Sequence, residues 1–117
     1  PMMAIGGTAD TGTPHDWGAK PSYDHVSSEK KALVALEGAE HMIYTTSCED
    51  QPWMSSHPFS GYFCYDPVWD KDRALDIVSH FSTAFLLDTL KNNPKAHEAL
   101  LTDAVQFPGI DSTSTFN

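Results

Sequence analysis

The chain contains no apolar run approaching the roughly 18 residues that a membrane-spanning helix requires, so no membrane span is expected. Basic residues are scarce: 7 Lys and Arg stand against 16 Asp and Glu, a formal charge of −9 at pH 7. That balance excludes a nucleic-acid binder, because Lys and Arg supply the affinity for a phosphate backbone. It is consistent with solubility and with a neutral or cationic partner. Ligand spacings such as His-Glu-x-x-His are missing, so no metal site is expected, and no cofactor is implied. Internal repeats are absent. Only two cysteines are present, Cys48 and Cys64. The 117 residues suffice for one domain with a single modest core.

What is present organises into alternating elements. Met2 to Ile5 is continuously apolar, as expected of a buried parallel strand, and Gly6-Gly7-Thr8 ends it. Thr8 to Pro14 is loop by composition, and Ala19 to Ser27 predicts a short helix with Pro21 in its first turn. Lys31 to Leu36 predicts a second strand, broken at Gly38. Strand, helix and strand with short links form the crossover unit of a parallel sheet. Asp70 to Lys91 is the clearest helix, with Asp70 as N-cap and Ala74, Ile77, Val78, Phe81, Ala84 and Phe85 on one face. Leu86, Leu87 and Leu90 are apolar on other faces, so deep burial of that end is expected. Asn92-Asn93-Pro94 stops the helix, a short one follows to about Leu101, and Ser112 to Asn117 reads as a loose polar end.

Between these lies a long irregular stretch, Thr45 to Trp69, punctuated by Pro52, Pro58 and Pro67 and rich in aromatics. Cys48 and Cys64 bracket it. Two free thiols are the plainer reading, but a Cys48–Cys64 disulfide closing the loop is expected. A bridge there would add about 3 kcal/mol by the chain-entropy argument and would imply an oxidising, extracellular or periplasmic location.

Two side chains draw chemical interest by their placement. Asp10 follows the first strand and His41 the second. Taken alone, each is ordinary: Asp is a common turn former and a lone His is usually a satisfied polar residue. Together they stand at the same edge of a parallel sheet, where open α/β sheets bind ligands. A histidine acting as general base needs a carboxylate on its second nitrogen to set its tautomer. Smaller candidates are His15, Asp16 and Trp17, which could wall a substrate but read better as exposed loop. His25, His80 and His97 are expected to face solvent, and His57 lies in the long loop.

The segments Gly6-Gly-Thr-Ala-Asp10-Thr-Gly-Thr-Pro14, Ala19-Lys-Pro-Ser-Tyr23 and Lys31-Ala-Leu-Val-Ala-Leu-Glu-Gly-Ala-Glu-His41 resemble the acid-to-histidine region of dienelactone-hydrolase-like α/β-hydrolases. They are similar to the cutinase and polyesterase group and to platelet-activating-factor acetylhydrolase-like serine esterases. Phe63-Cys-Tyr-Asp-Pro-Val-Trp-Asp70 and its helix look more like the secreted dienelactone-hydrolase-like proteins. The resemblance implies an α/β fold, specifically the C-terminal portion of an α/β-hydrolase with two parallel strands, a crossover helix and a long C-terminal helix. It makes Asp10 the triad acid and His41 the triad base, acting on a small ester or polyester. The nucleophile is not here: no serine of the chain sits in a Gly-x-Ser-x-Gly elbow. The chain also opens inside an apparent strand without an initiator Met. Residues 1–117 are therefore expected to be the C-terminal part of a hydrolase domain, with the serine on an N-terminal portion or companion chain. The alternative is a non-catalytic assembly chain that packs against a partner polypeptide.

Overall fold

The computed structural model of the chain describes residues 1–102 and 104–116. In order, these form β1 (Met2–Gly7), α1 (Ala19–His25), β2 (Lys31–Leu36), a 3-10 turn at His41–Tyr44, α2 (Pro52–Ser55), α3 (Ser60–Cys64), α4 (Lys71–Lys91), α5 (Pro94–Glu98) and β3 (Ile110–Ser114). The fold is mixed α/β around a three-stranded sheet ordered β1-β2-β3. β1 and β2 run parallel with Gly7 opposite Leu36, and β2 pairs antiparallel with β3, Leu36 opposite Ile110.

β2 is the central strand, and its side chains divide by the two-residue period of a pleat. Ala32, Val34 and Leu36 point into the main core, where they join Ala39, Ile43, Trp69 and the α4 residues Ala74, Ile77, Phe81 and Ala84. α1 packs on the opposite side against β1 and β2. There Lys31 extends over the Tyr23 ring at 4.7 Å. β1 is an edge strand, half-buried rather than buried as its apolar run suggested, and among the described residues no strand pairs with its outer side.

α4 begins as its sequence indicates: the Asp70 carboxylate accepts from Arg73 N at 2.9 Å, and Asp72 occupies the first turn. The helix ends at Asn92, whose left-handed conformation (φ 50°) closes the last turn.

Five expectations are corrected. The apolar stripe of α4 runs onto Asp88 and not onto the leucines, which leaves Leu86, Leu87 and Leu90 on exposed flanks. The end of the chain is not loose. Ser112 to Ser114 belong to β3, Thr115 Oγ1 donates to Glu29 O at 2.6 Å, and Phe116 is only 2% exposed in the core; Asn117 lies outside the described residues. The sheet consequently has three strands rather than two. Residues 45–69 hold two short helices, α2 and α3, while α1 and α5 are each shorter than expected.

Candidate active site

The parallel register of β1 and β2 makes both strands deliver their following loops to one edge of the sheet. The loops are laced together there: Thr8 N donates to Leu36 O at 3.0 Å and Ala9 N to Ala39 O at 3.1 Å. Gly7 permits the approach, since a Cβ at that position would lie 2.3 Å from Ala39 O. The result places Asp10 against His41. His41 Nδ1 lies 3.0 Å from Asp10 Oδ2 and 3.1 Å from Oδ1.

Asp10 is buried, and its carboxylate is surrounded by donors. Oδ1 accepts from Gly12 N at 2.8 Å and Thr13 N at 2.7 Å, and Oδ2 accepts from Thr13 Oγ1 at 3.1 Å. Burial by itself would raise the carboxyl. The hydrogen bonds from His41, from the Thr13 backbone and hydroxyl and from Gly12 outweigh it, so Asp10 is held below its ordinary value of 3.8. An ionised Asp10 accepts from Nδ1–H and so fixes the His41 tautomer. His41 Nε2 is left with no hydrogen bond among the described residues, and the side chain is 40% exposed.

One face of the imidazole is closely covered by the Asp10 loop. A Cβ on Gly12 would come within 2.8 Å of His41 Cγ. A cleft of about 290 Å³ adjoins the pair, lined by Ile5, Gly6, Thr13, Ala19 and Tyr44 among others. The Tyr44 phenol is buried without a hydrogen-bond partner among the described residues. Burial, reinforced by the negative charges of Asp10 and Asp66, pushes it up to about 12, so it remains a neutral donor.

Further polar contacts brace the two loops. Glu40 Oε2 accepts from Thr11 N at 3.2 Å and from Thr11 Oγ1 at 3.1 Å, crossing from the His41 loop to the Asp10 loop. Asp66 Oδ2 accepts from Glu40 N at 2.7 Å. Asp66 Oδ1 accepts from Val68 N at 2.9 Å and from Trp69 N at 2.8 Å. None of Thr13, Glu40, Tyr44 or Asp66 stands out in the sequence. Asp10-x-x-Thr13 and Asp66-x-x-Trp69 each carry the short-range signature of an Asp closing its own turn, but nothing local says what the turn holds.

The other candidates fall elsewhere. Trp17 is 84% exposed and Asp16 is exposed, while half-buried His15 lines a separate cleft with Tyr23 and Leu33. His25 is exposed. His57 Nδ1 accepts from Phe59 N at 3.2 Å, and its ring packs on Phe59 and Phe63. His80 is not solvent-facing: its ring is wedged edge-on against Phe81 and Phe107, because α4 turns that flank toward the segment before β3. His97 is half-buried and pairs with Asp88, Nδ1 to Oδ1 at 3.2 Å. Among the described residues no three His, Cys, Asp or Glu side chains converge to hold a metal.

Cys48 and Cys64 form a disulfide, with Cα atoms 5.4 Å apart. No helix among the described residues is long and apolar enough to cross a membrane. Comparison of the chain with protein-family models, with curated proteins and with solved structures gave no match.

Proposed function

We propose that this chain supplies the acid and the base of a serine carboxylic-ester hydrolase of the α/β-hydrolase type, with Asp10 as acid and His41 as base. The supporting observation is the donor-saturated, buried Asp10 carboxylate on His41 Nδ1, with Nε2 across the ring making no hydrogen bond among the described residues. That arrangement suits a base that must receive a proton and return it. A serine on a companion segment carrying Gly-x-Ser-x-Gly would attack the ester carbonyl. His41 Nε2 would take the hydroxyl proton and return it to the leaving alcohol, and water would release the acyl-enzyme with His41 again as base. Asp10 would stabilise the imidazolium formed in each half-reaction. The open outer edge of β1 offers backbone groups with which strands of that companion could continue the sheet. The disulfide is consistent with an extracellular or periplasmic setting.

Co-expression of the chain with a Gly-x-Ser-x-Gly polypeptide, followed by hydrolysis of a chromogenic short-chain ester, tests the proposal. Turnover is expected in the complex, none above background in the isolated chain, and loss of turnover in His41→Ala. A stable complex that hydrolyses nothing would favour the assembly role instead. Saturable turnover by the isolated chain, unchanged in His41→Ala, would overturn the proposal outright.

A further inference from the structure

We propose that Asp66 is a positioning residue for the Asp10–His41 pair, tying the loop that carries His41 to the disulfide-closed segment in front of α4. Between buried Ala39 and buried Ile43, the turn that starts at His41 has little side-chain support of its own. The residues after Leu36 leave the sheet, Gly38 turns the chain in a left-handed conformation (φ 72°), and His41 opens a single 3-10 turn whose N-cap residue, Glu40, gives it no side-chain cap. The donor at that N-cap is satisfied from outside: Glu40 N donates to Asp66 Oδ2 at 2.7 Å, the shorter end of the N–H to oxygen range. One residue on is His41.

The other oxygen of the same carboxylate is anchored. Oδ1 accepts two backbone N–H groups, Val68 and Trp69. Trp69 is itself pinned, buried at 7% exposure with its indole Nε1 donating to Glu37 O at 2.8 Å. Asp66 therefore bridges a rigid point of the core to the backbone of Glu40. The bridge continues, because the Glu40 side chain clasps Thr11 next to Asp10. A single carboxylate thus bears on both loops of the pair. On the other side, Cys64 lies two residues before Asp66, and Lys71 Nζ donates to Phe63 O at 2.8 Å and to Thr45 Oγ1 at 2.7 Å. The segment supplying Asp66 is held by a covalent bond and by a buried ammonium.

The two oxygens have separable roles, which gives a selective variant. Asn at position 66 has one acceptor oxygen. Two N–H groups claim it at the Oδ1 site, so the amide NH2 falls opposite Glu40 N–H, donor against donor. Asp66→Asn keeps the turn into α4 and removes the bond from Glu40 N that braces the His41 loop. Asp66→Ala removes both.

The direct measurement is the His41 Nδ1–H proton signal in the 15N-histidine-labelled chain, assigned by its loss in Asp10→Ala. In Asp66→Asn that proton is expected to exchange with water about tenfold faster or more, as befits loss of a hydrogen bond to a charged acceptor, while the amide signals of β2 and β3 stay in place. An unchanged position and exchange rate in Asp66→Asn would overturn the proposal. A second measurement needs no variant. In the unmodified chain the Glu40 amide and the His41 ring proton should be released by one opening. A Glu40 amide whose protection, taken relative to its own intrinsic exchange rate, is more than about tenfold below that of the ring proton would equally overturn it. The relevance of Asp66 to turnover rests on the hydrolase proposal. In an active complex with the serine-bearing polypeptide, Asp66→Asn should lower kcat with KM little changed, and Asp66→Glu should recover part of the loss. If the complex has no hydrolytic activity the hydrolase proposal fails, and the ring-proton experiment still decides the role of Asp66.

Discussion

Replacing both Cys48 and Cys64 with Ser removes the one covalent cross-link between parts of the fold that are otherwise lightly joined. The bridge spans a sequence separation of 16 residues. For a loop of that size the chain-entropy relation gives about 3 kcal/mol of stabilisation. The full value applies where the native segment keeps its place without the bridge. Met54 is buried, and Lys71 Nζ donates to Phe63 O at 2.8 Å and to Thr45 Oγ1 at 2.7 Å, which holds both ends of the segment. The expected loss is thus close to the full entropic value. For a domain of this size, with a urea dependence of about 1.5 kcal/mol per molar, the unfolding midpoint should fall by about 2 M. Equilibrium urea unfolding followed by tryptophan fluorescence measures it, and hydrogen exchange should show loop amides between positions 48 and 64 exchanging faster than those of β2. A midpoint shift below about 0.5 M would refute the reasoning, because it would mean that the reduced loop opens in the folded state and regains there most of the freedom that the bridge removes from the unfolded chain.

Other expectations concern the pair and the core. Gly12→Ala should push the His41 ring away from Asp10 and so diminish the Nδ1–H signal, with a stability change below about 1 kcal/mol because Gly12 is exposed; an undisturbed signal would count against the tight packing inferred at that ring. Because Asp10 is held below 3.8 when folded, its contribution to stability is complete above 3.8 and is lost as pH falls through the lowered folded value. Asp10→Asn should therefore be less stable than the parent at pH 6, by about 1–3 kcal/mol, and the gap should narrow below pH 3.8; an equal gap at pH 6 and pH 2.5 would contradict this. Trp69→Ala opens a cavity under Gly109 and leaves Glu37 O without its indole donor, so thermal or urea unfolding should register a loss of about 3–5 kcal/mol. Gly7→Ala should cost at least about 1–3 kcal/mol, since backbone rather than a flexible side chain blocks the new methyl, and a neutral result would show that the two loops are not laced as described.

Much of the layout is legible in the chain because it is encoded element by element. The apolar runs at Met2–Ile5 and Lys31–Leu36, the N-cap at Asp70 and the stripe from Ala74 to Ala84 are local patterns, and they formed the corresponding elements. β3 escaped notice because Ile110–Ser114 is largely polar. It becomes a strand through pairing with β2, with hydrogen bonds that no short window of sequence contains. The leucines near the end of α4 misled for the opposite reason. Apolar character is local, but which flank of a helix meets the sheet is set by the elements packed against it, and that face passes through Asp88.

The same division runs through the site. The order of Asp10 and His41 after successive parallel strands is a property of the sequence, and parallel strands bring such residues to one edge whatever the details. The supports are not local. Glu40 and Asp66 become significant only once loops 26 to 29 residues apart in the chain are brought within hydrogen-bond distance. Which side chains arrive at the sheet edge is written in the chain, because strand period and chain order are read within a few residues. How they are oriented is fixed by packing in three dimensions, because a hydrogen bond depends on position in space to within tenths of an ångström, and separation along the chain does not carry that information.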